Sequence, residues 1–266
     1  MTAAREDRAA EAVLTVIEYT DPACPWAWGS EPKFQWLRGV LDCPSSASAG
    51  AVLWRRVFGI LFDEGEAPAP DPAAEAAWYL EELAEISGHT GAPYPDRLGW
   101  VTATSWPASL AAKAAERQGP QSADAVLRRL RETTFLAGEP ADTPQRVLAA
   151  VHGLPGLDIE MLATDAAGPE VREAVRRDWA ETRAPCPEVF AIDEAGRHTG
   201  RAKPLGEDPS DGYRYALPTL LFIGAGGRFA VAGWRPEDQY LDAVRRAAPA
   251  LSGLCDTAAA QPRSAG

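Results

Sequence analysis

The feature that most constrains the fold is an apolar strand that leads directly into a cysteine–proline helix start. Residues 12–19 are β-branched and apolar, which predicts a buried strand. The next four residues, 20–23, contain an aspartate and a proline and are typical of a turn. Cys24 follows, and Pro25 suits the first turn of a helix because its missing N–H leaves no donor unsatisfied. Cys24 is therefore expected at the junction of a strand and a helix.

The periodicity changes twice along the rest of the chain. A helix ending near Leu41 is followed by a second apolar strand over residues 51–61, and this spacing predicts a βαβ unit with parallel strands. A Glu-, Pro- and Ala-rich linker precedes a helical pattern that runs to about Arg183. Within that pattern Ser105, Ser122 and Thr143 are predicted helix caps. The last elements are predicted as a strand at 217–223, a hairpin turn at 224–227, a return strand at 228–232 and a helix at 236–247.

This order predicts an α/β fold of the type βαβ…ββα, interrupted by an all-helical domain. The predicted core domain is discontinuous and comprises residues 13–62 and 213–250. The remaining segments are predicted as a disordered lead at 1–12, an inserted helical domain at 63–185, a loop at 186–212 and a flexible tail at 251–266.

The placement of Cys24 favours chemistry over packing. A thiol at a helix start faces unpaired backbone N–H groups and the positive end of the helix dipole. Both favour the thiolate, so the pKa of Cys24 is expected to be low and the sulfur nucleophilic. Trp26 and Trp28 are expected to shield one side and to offer a flat surface to a partner. A buried, inert cysteine is the alternative.

Charge and composition exclude several classes of function. The net charge of −12 argues against nucleic acid and anionic membranes as partners. No stretch approaches the roughly 20 apolar residues of a membrane span. Residues 1–12 are charged and lack the apolar core of a secretory signal, so a cytoplasmic protein is expected. The three histidines are scattered without metal-ligand spacing, and no metal site is expected.

Two motifs in this order of elements resemble the DsbA-like branch of the thioredoxin superfamily, and most closely its cytoplasmic actinobacterial, FrnE-like group. The first is Asp21-Pro-Ala-Cys24-Pro25-Trp26-Ala27-Trp28, and the second is Ala216-Leu217-Pro218-Thr219. The resemblance implies a thiol–disulfide oxidoreductase with Cys24 as nucleophile and a cis peptide bond before Pro218. It further implies that substrate contacts Pro25, Trp26 and Trp28 near the nucleophile, and Leu217, Pro218 and Thr219 at the second motif.

Ala27 departs from the resemblance, because it occupies the position of the resolving cysteine. Without a second thiol, attack by Cys24 on a disulfide stops at a mixed disulfide, whose release needs an external thiol. Three explanations remain open: a natural monothiol enzyme, an engineered trapping variant, or a scaffold that has lost redox activity. No tightly bound cofactor is expected, and mycothiol or glutathione is the expected co-substrate. The expected partner is a small thiol or disulfide or a protein thiol, and the sequence does not distinguish a monomer from a dimer.

Three other cysteines and one acid bear on the same site. A continuous helix would carry Cys43 more than about 25 Å from Cys24, too far for a disulfide. Cys186 is a weak candidate for a resolving role, and Cys255 is expected to be incidental. Glu18 is close enough in sequence to accept a proton from the thiol, but a solvated strand-end carboxylate is the simpler interpretation.

Two other functions also fit this sequence. One is a glutathione- or mycothiol-dependent isomerase or transferase similar to kappa-class enzymes and hydroxychromene-carboxylate isomerases. Those proteins usually carry serine at the position of Cys24. The other is a non-enzymatic adaptor, similar to the DsbA-like adaptors that deliver substrates to Clp proteases.

Overall fold

The computed structural model describes residues 12–42, 52–64, 69–192 and 200–260. The described residues divide into two compact units. The first, called the sheet unit here, comprises residues up to Tyr19, Ser30–Val57 and residues from Ala184 onward. The second, called the helical unit, comprises Thr20–Gly29 and Phe58–Arg183.

A four-stranded sheet organises the sheet unit, in the order β2 (Val52–Phe58), β1 (Leu14–Thr20), β5 (Thr219–Gly224) and β6 (Gly227–Ala232). Strand β5 is antiparallel to both of its neighbours, with Val16 opposite Phe222 and Leu221 opposite Ala230. Its Gly224–Gly227 connection is the predicted hairpin, and Gly227 adopts a φ of +117°, which favours glycine.

Two long helices cover the apolar residues of this sheet. Helix α1 (Pro25–Leu41) contributes Phe34 and Leu37, and helix α9 (Glu237–Ala247) contributes Tyr240 and Val244. These side chains pack in one cluster with residues of β1 and β5, among them Leu14, Leu220 and Phe222. The described elements confirm the predicted α/β, thioredoxin-like order with a helical insertion.

The helical unit buries a separate core. Its centre is an apolar cluster formed mainly by α3 (Trp106–Ala115), α4 (Pro120–Phe135), α5 (Pro144–Val151) and α7 (Pro169–Thr182). Its members include Ala111, Leu127, Val147 and Val175. Side chains at three N-termini satisfy free backbone N–H groups: Asp71, Thr143 and Asp158. Further helices of this unit are α2 (Pro72–Thr90) and α6 (Ile159–Ala167).

The structure corrects one predicted helix start in this unit and contains one helix that was not predicted. The predicted cap at Ser122 is wrong, because α4 begins at Pro120, whose ring suits the first helical position, with Gly119 before it. The sequence pattern did not predict helix α6. This helix begins after Asp158, whose carboxylate accepts the Met161 N–H at 2.9 Å. Its apolar pattern is short, and one side chain of it, Leu162, is buried.

Regular structure also occupies segments predicted as irregular. The loop predicted at 186–212 contains the one-turn helix α8 (Pro187–Phe190) and strand β3 (Lys203–Pro204), which pairs with β4 (Tyr213–Arg214). The flexible tail predicted from 251 is wrong for helix α10 (Ser252–Ala259). Cys255 has no exposed surface and joins the apolar cluster of the sheet unit, which holds this helix in place.

Parts of the predicted lead, loop and tail at 1–11, 193–199 and 261–266 lie outside the described residues. Within the described ranges, no helix is long and apolar enough to cross a bilayer.

Candidate functional site

The site is built on the turn between β1 and α1, within the helical unit. The Cys24 N–H donates to the Asp21 carbonyl at 3.2 Å and closes the turn. The Cys24 carbonyl then accepts the Trp28 N–H at 3.0 Å, the first hydrogen bond of the helix. Pro25 begins α1 and is buried. Cys24 therefore stands at the helix start that the sequence predicted.

Asp21 ties this turn to two other segments of the helical unit. Its carboxylate accepts the Ala23 N–H at 2.7 Å, the Leu61 N–H at 2.8 Å and the Ser105 hydroxyl at 2.9 Å. Its side chain is fully buried. Burial raises the pKa of Asp21, while the three donors and the Arg131 guanidinium oppose that rise. Ser105 precedes α3 as predicted, but its side chain binds Asp21 rather than an N–H of its own helix.

The expectation of a low pKa for Cys24 is wrong. The residue is 3% exposed, and burial raises the pKa of its thiol to about 11. The Ala27 N–H lowers this pKa, Asp21 raises it, and Arg131 and the Trp26 N–H lower it. The helix start thus acts on the sulfur in the expected direction. The cost of removing the thiolate from water is larger than this effect, so the pKa of Cys24 is raised overall.

Side chains that follow Cys24 have structural partners. Ala27 has no exposed surface, so a buried methyl group stands where the resolving thiol was expected. The Trp26 ring meets His89 edge-on, with centroids 5.3 Å apart. The Trp28 Nε1–H donates to the Pro93 carbonyl at 2.8 Å, and its ring stacks on Phe135. Trp28 therefore joins α1 to α4 and to the segment after α2. Both Trp26 and Trp28 are half-buried.

The second predicted motif lies in the sheet unit. The Leu217–Pro218 peptide bond is cis. The Pro218 carbonyl accepts the Gly233 N–H at 2.7 Å, and the Thr219 hydroxyl donates to the Ala216 carbonyl at 2.6 Å. Thr219 begins β5 opposite Tyr19 of β1. Leu217 is half-buried, and both Pro218 and Thr219 are buried.

The other described cysteines also lie in the sheet unit, and both are free and buried. Burial raises the pKa of Cys186, whose backbone N–H donates to the Tyr215 hydroxyl at 2.9 Å. Burial likewise raises the pKa of Cys255. Cys43 lies outside the described residues.

Sequence reasoning missed two residues around Cys24. Arg131 is 1% exposed, and its Nη2 donates to the Thr20 hydroxyl at 2.7 Å. Its position was a readable signal, because it falls at helical spacing with the buried Leu127 and Thr134. The pKa of Tyr79, in α2, is raised chiefly by burial and then by the charges of Cys24 and Asp21.

Room for a resident group is small at this turn. A cavity of about 10 Å³, room for about one water molecule, is lined by Pro22, Ala23, Thr102, Ser105, Ala141 and residues of α3 and α4. Small-molecule sites usually enclose about 300–1,000 Å³. Among the described residues, no cluster of three His, Cys, Asp or Glu side chains could hold a metal ion. The lining offers the hydroxyls of Thr102, Ser105 and Thr134 among apolar side chains.

Comparison with known proteins identifies relatives in sequence. A family model described as Thioredoxin matches residues 77–184. The chain is 29% identical over 183 residues to the ClpXP adapter protein SpxH of Shouchella clausii. This alignment covers 67% of this chain and 56% of that protein. The SpxH of Halalkalibacterium halodurans is also 29% identical, over 64% of this chain and 54% of that protein. The chain therefore spans about half the length of the curated relatives it matches.

Solved structures share the fold over most of the chain. A protein from Nitrosomonas europaea described as a disulfide isomerase superposes with a TM-score of 0.59 at 14% identity, covering 92% of this chain and 96% of that one. The cytosolic disulfide reductase DsbM from Pseudomonas aeruginosa gives 0.55 at 16% identity, covering 91% and 97%. A structure of DsbM with glutathione gives 0.53 at 16% identity, covering 91% and 98%. These similarities establish a shared fold.

Proposed function

We propose that this chain, which shares its fold with DsbA-type proteins and resembles the DsbA-like branch of the thioredoxin superfamily, is a thiol–disulfide oxidoreductase with Cys24 as nucleophile. The observation that carries the proposal is the position of the sulfur at the first turn of α1. There the N–H groups of Ala27 and Trp26 lower the thiol pKa against the effect of burial. Thiolate, not thiol, is the attacking species.

The proposed reaction follows from the single thiol. The Cys24 thiolate attacks one sulfur of a disulfide R–S–S–R′, the S–S bond breaks, and R′S⁻ leaves with the electron pair. Cys24 is then joined to R in a mixed disulfide. Ala27 supplies no second thiol, so a thiolate from outside must attack the mixed disulfide and release Cys24. Glutathione or mycothiol fits this role as co-substrate, and the fold shared with DsbM, a disulfide reductase whose structure with glutathione is known, supports a small thiol.

Adduct formation tests the proposal directly. The protein is incubated with glutathione disulfide at pH 8.5, and intact mass with peptide mapping locates the added group. We expect an adduct on Cys24 that is absent from Cys24→Ser and retained in Cys186→Ser and Cys255→Ser. Modification of the unfolded protein, with none of the folded protein up to pH 10, would reject Cys24 as a nucleophile.

The raised thiol pKa predicts a steep pH dependence for this reaction. Since burial places the pKa of Cys24 at about 11, the thiolate fraction is small at neutral pH. The rate of alkylation by iodoacetamide should therefore rise about tenfold per pH unit between pH 7 and 10. Stopped sampling with mass spectrometry measures this rate. A plateau near pH 7 would contradict it.

A second cysteine tests whether Ala27 sets the release route. Ala27→Cys places two thiols at the spacing of a Cys-x-x-Cys pair, so the new thiol can attack the mixed disulfide from within the chain. We expect the variant to gain dithiol-dependent insulin reduction that the unaltered chain lacks, and to shed the glutathione adduct without added thiol. Ala27→Ser is the matched control, because it has similar size and no thiol. Persistent adduct in Ala27→Cys would mean that position 27 cannot reach the disulfide.

An adaptor function is the second candidate, and the identity to two ClpXP adapter proteins favours it. A buried thiol with a raised pKa also suits a protein that binds without redox turnover. Analytical ultracentrifugation with purified ClpX and ClpP would detect binding. The adaptor proposal predicts equal binding by the unaltered chain and Cys24→Ser, with no glutathione adduct on either.

A cytoplasmic location fits both candidates, since the three described cysteines are free.

A further inference from the structure

Arg131 brings a positive charge into the interior beside the nucleophile. Its side chain is 1% exposed on α4, and its Nη2 hydrogen-bonds the Thr20 hydroxyl, at the end of β1. Removing a guanidinium from water costs several kcal/mol unless anions or acceptors compensate. A buried arginine directed at this turn therefore stabilises negative charge there.

Two groups at the turn can carry that negative charge. The hydrogen bond to Thr20 places the Arg131 guanidinium at the residue before Asp21, and the Cys24 N–H closes the same turn on the Asp21 carbonyl at 3.2 Å. At that position the positive charge favours the ionised form of both the Asp21 carboxyl and the Cys24 thiol. Asp21 disfavours ionisation of Cys24. Burial raises the pKa of Tyr79 in α2, so this phenol adds no charge near neutral pH. The charge balance of the site thus depends on Arg131, Asp21 and Cys24.

We propose that Arg131 is the shared counter-ion of Asp21 and Cys24, and that the sulfur becomes reactive when the negative charge passes from the carboxylate to the thiol. The Cys24 S–H bond breaks and its proton goes to solvent, while Asp21 takes up one proton and forms an O–H bond. The net charge of the three groups is unchanged, and no electrons are transferred. The guanidinium has one negative charge near it in both states. Arg131 and Asp21 are positioning residues here, since they act through Cys24.

This inference rests on the proposed function, in that it takes Cys24 as the nucleophile, but its test does not require turnover. The apparent pKa of Cys24 is measured from the pH dependence of iodoacetamide labelling in folded protein. Asp21→Asn removes the competing charge and should lower that value by about one pH unit. Arg131→Met should raise it by about one pH unit, and Arg131→Lys should restore most of the difference.

Lys113→Met provides a matched control in the same unit. Lys113 is also buried and cationic, and its Nζ pairs with Asp178 at 2.8 Å. Its loss should destabilise the fold yet leave the Cys24 titration unchanged. A general loosening of the unit would shift all three variants in one direction, toward an exposed thiol. Opposite shifts in Asp21→Asn and Arg131→Met therefore support the proposal, and shifts of the same sign overturn it.

The experiment still tests the proposal if one variant fails to fold. Should Arg131→Met be unfolded, Arg131→Lys and Asp21→Asn still decide the matter, because an unchanged titration in Asp21→Asn overturns the shared charge. The glutathione adduct assay is independent of this result. Opposite shifts without any adduct would reject the oxidoreductase and keep the electrostatic assignment. An adduct on Cys24 with unchanged titrations would support the oxidoreductase and reject the electrostatic assignment.

Discussion

Glu18 and Asp21 are both buried acids, three positions apart in the chain, but their surroundings differ in charge. Glu18, in the sheet unit, is 1% exposed and forms ion pairs with Arg38 at 2.7 Å and Arg56 at 3.3 Å. Trp54 Nε1–H donates to the same carboxylate at 2.9 Å. Two cations offset the cost of burying this charge.

Asp21, in the helical unit, is held chiefly by neutral donors. Two backbone N–H groups and the Ser105 hydroxyl bind it directly, and burial still raises its pKa. A carboxyl held this way can be protonated with less loss than one between two guanidinium groups. The Glu18 carboxylate is thus fixed as an anion by two cations. The Asp21 carboxylate lacks such pairs among the described residues and can take up a proton, as the proposed exchange with Cys24 requires.

The largest expected effect comes from breaking the charged arrangement. Glu18→Ala leaves the Arg38 and Arg56 side chains, which are 18% and 9% exposed, without this carboxylate. Loss of one partner of a buried pair costs about 3–5 kcal/mol in the free energy of unfolding. Urea denaturation of the full chain measures it.

The matched control for Glu18→Ala is a surface pair. Arg128 is 55% exposed and pairs with Glu132 at 2.8 Å. Arg128→Ala should cost about 0–1 kcal/mol, because water screens the interaction. Equal losses in the two variants would show that the Glu18 network is no more than a surface contact in energy.

Asp21→Asn tests the neutral arrangement and should cost less. An amide has one carbonyl oxygen, so either the Ala23 or the Leu61 N–H loses its acceptor, at about 1–3 kcal/mol. The penalty should depend on pH. Because the folded-state pKa of Asp21 is raised, the stability from its protonation is complete below the unfolded value of about 3.9 and is lost as pH rises through the folded value.

The advantage of the unaltered chain over Asp21→Asn should therefore shrink between pH 4 and pH 8. Urea midpoints of both proteins across that range measure the difference, and shifts of other groups cancel in it. An advantage that grows with pH would mean that the carboxylate, and not the carboxyl, is the form the fold prefers.

The segment that contains Glu18 and Asp21 shows which features the sequence could predict and which it could not. The apolar run before Tyr19 and the Cys24–Pro25 step predicted the strand, the helix start and the position of Cys24 between them, because these depend on neighbouring residues. The partners of Glu18 and Asp21 come from residues far along the chain, such as Trp54 and Ser105. Glu18, expected to be solvated, is buried for that reason.

The direction of the Cys24 pKa shows the same limit. The helix start favours the thiolate, as the sequence predicted, but burial is a tertiary property and outweighs it. The burial of Arg131 could be predicted from its helical spacing, and a buried charge requires a hydrogen-bond or ionic partner. The identity of that partner could not be predicted, because Thr20 is 111 positions away in the chain.

The smallest expected effect comes from removing one neutral donor to Asp21. Ser105→Ala deletes the 2.9 Å hydrogen bond to the carboxylate and should cost about 1 kcal/mol. It should also raise the pKa of Asp21 further, since this hydroxyl lowers it. Ser109 is the control: it is equally buried on α3, and its hydroxyl has no hydrogen-bond partner among the described residues. Ser109→Ala should leave the urea midpoint unchanged or raise it, because no bond is lost. If Ser105→Ala is as mild as Ser109→Ala at both pH 4 and pH 8, the hydroxyl does not support the Asp21 carboxylate.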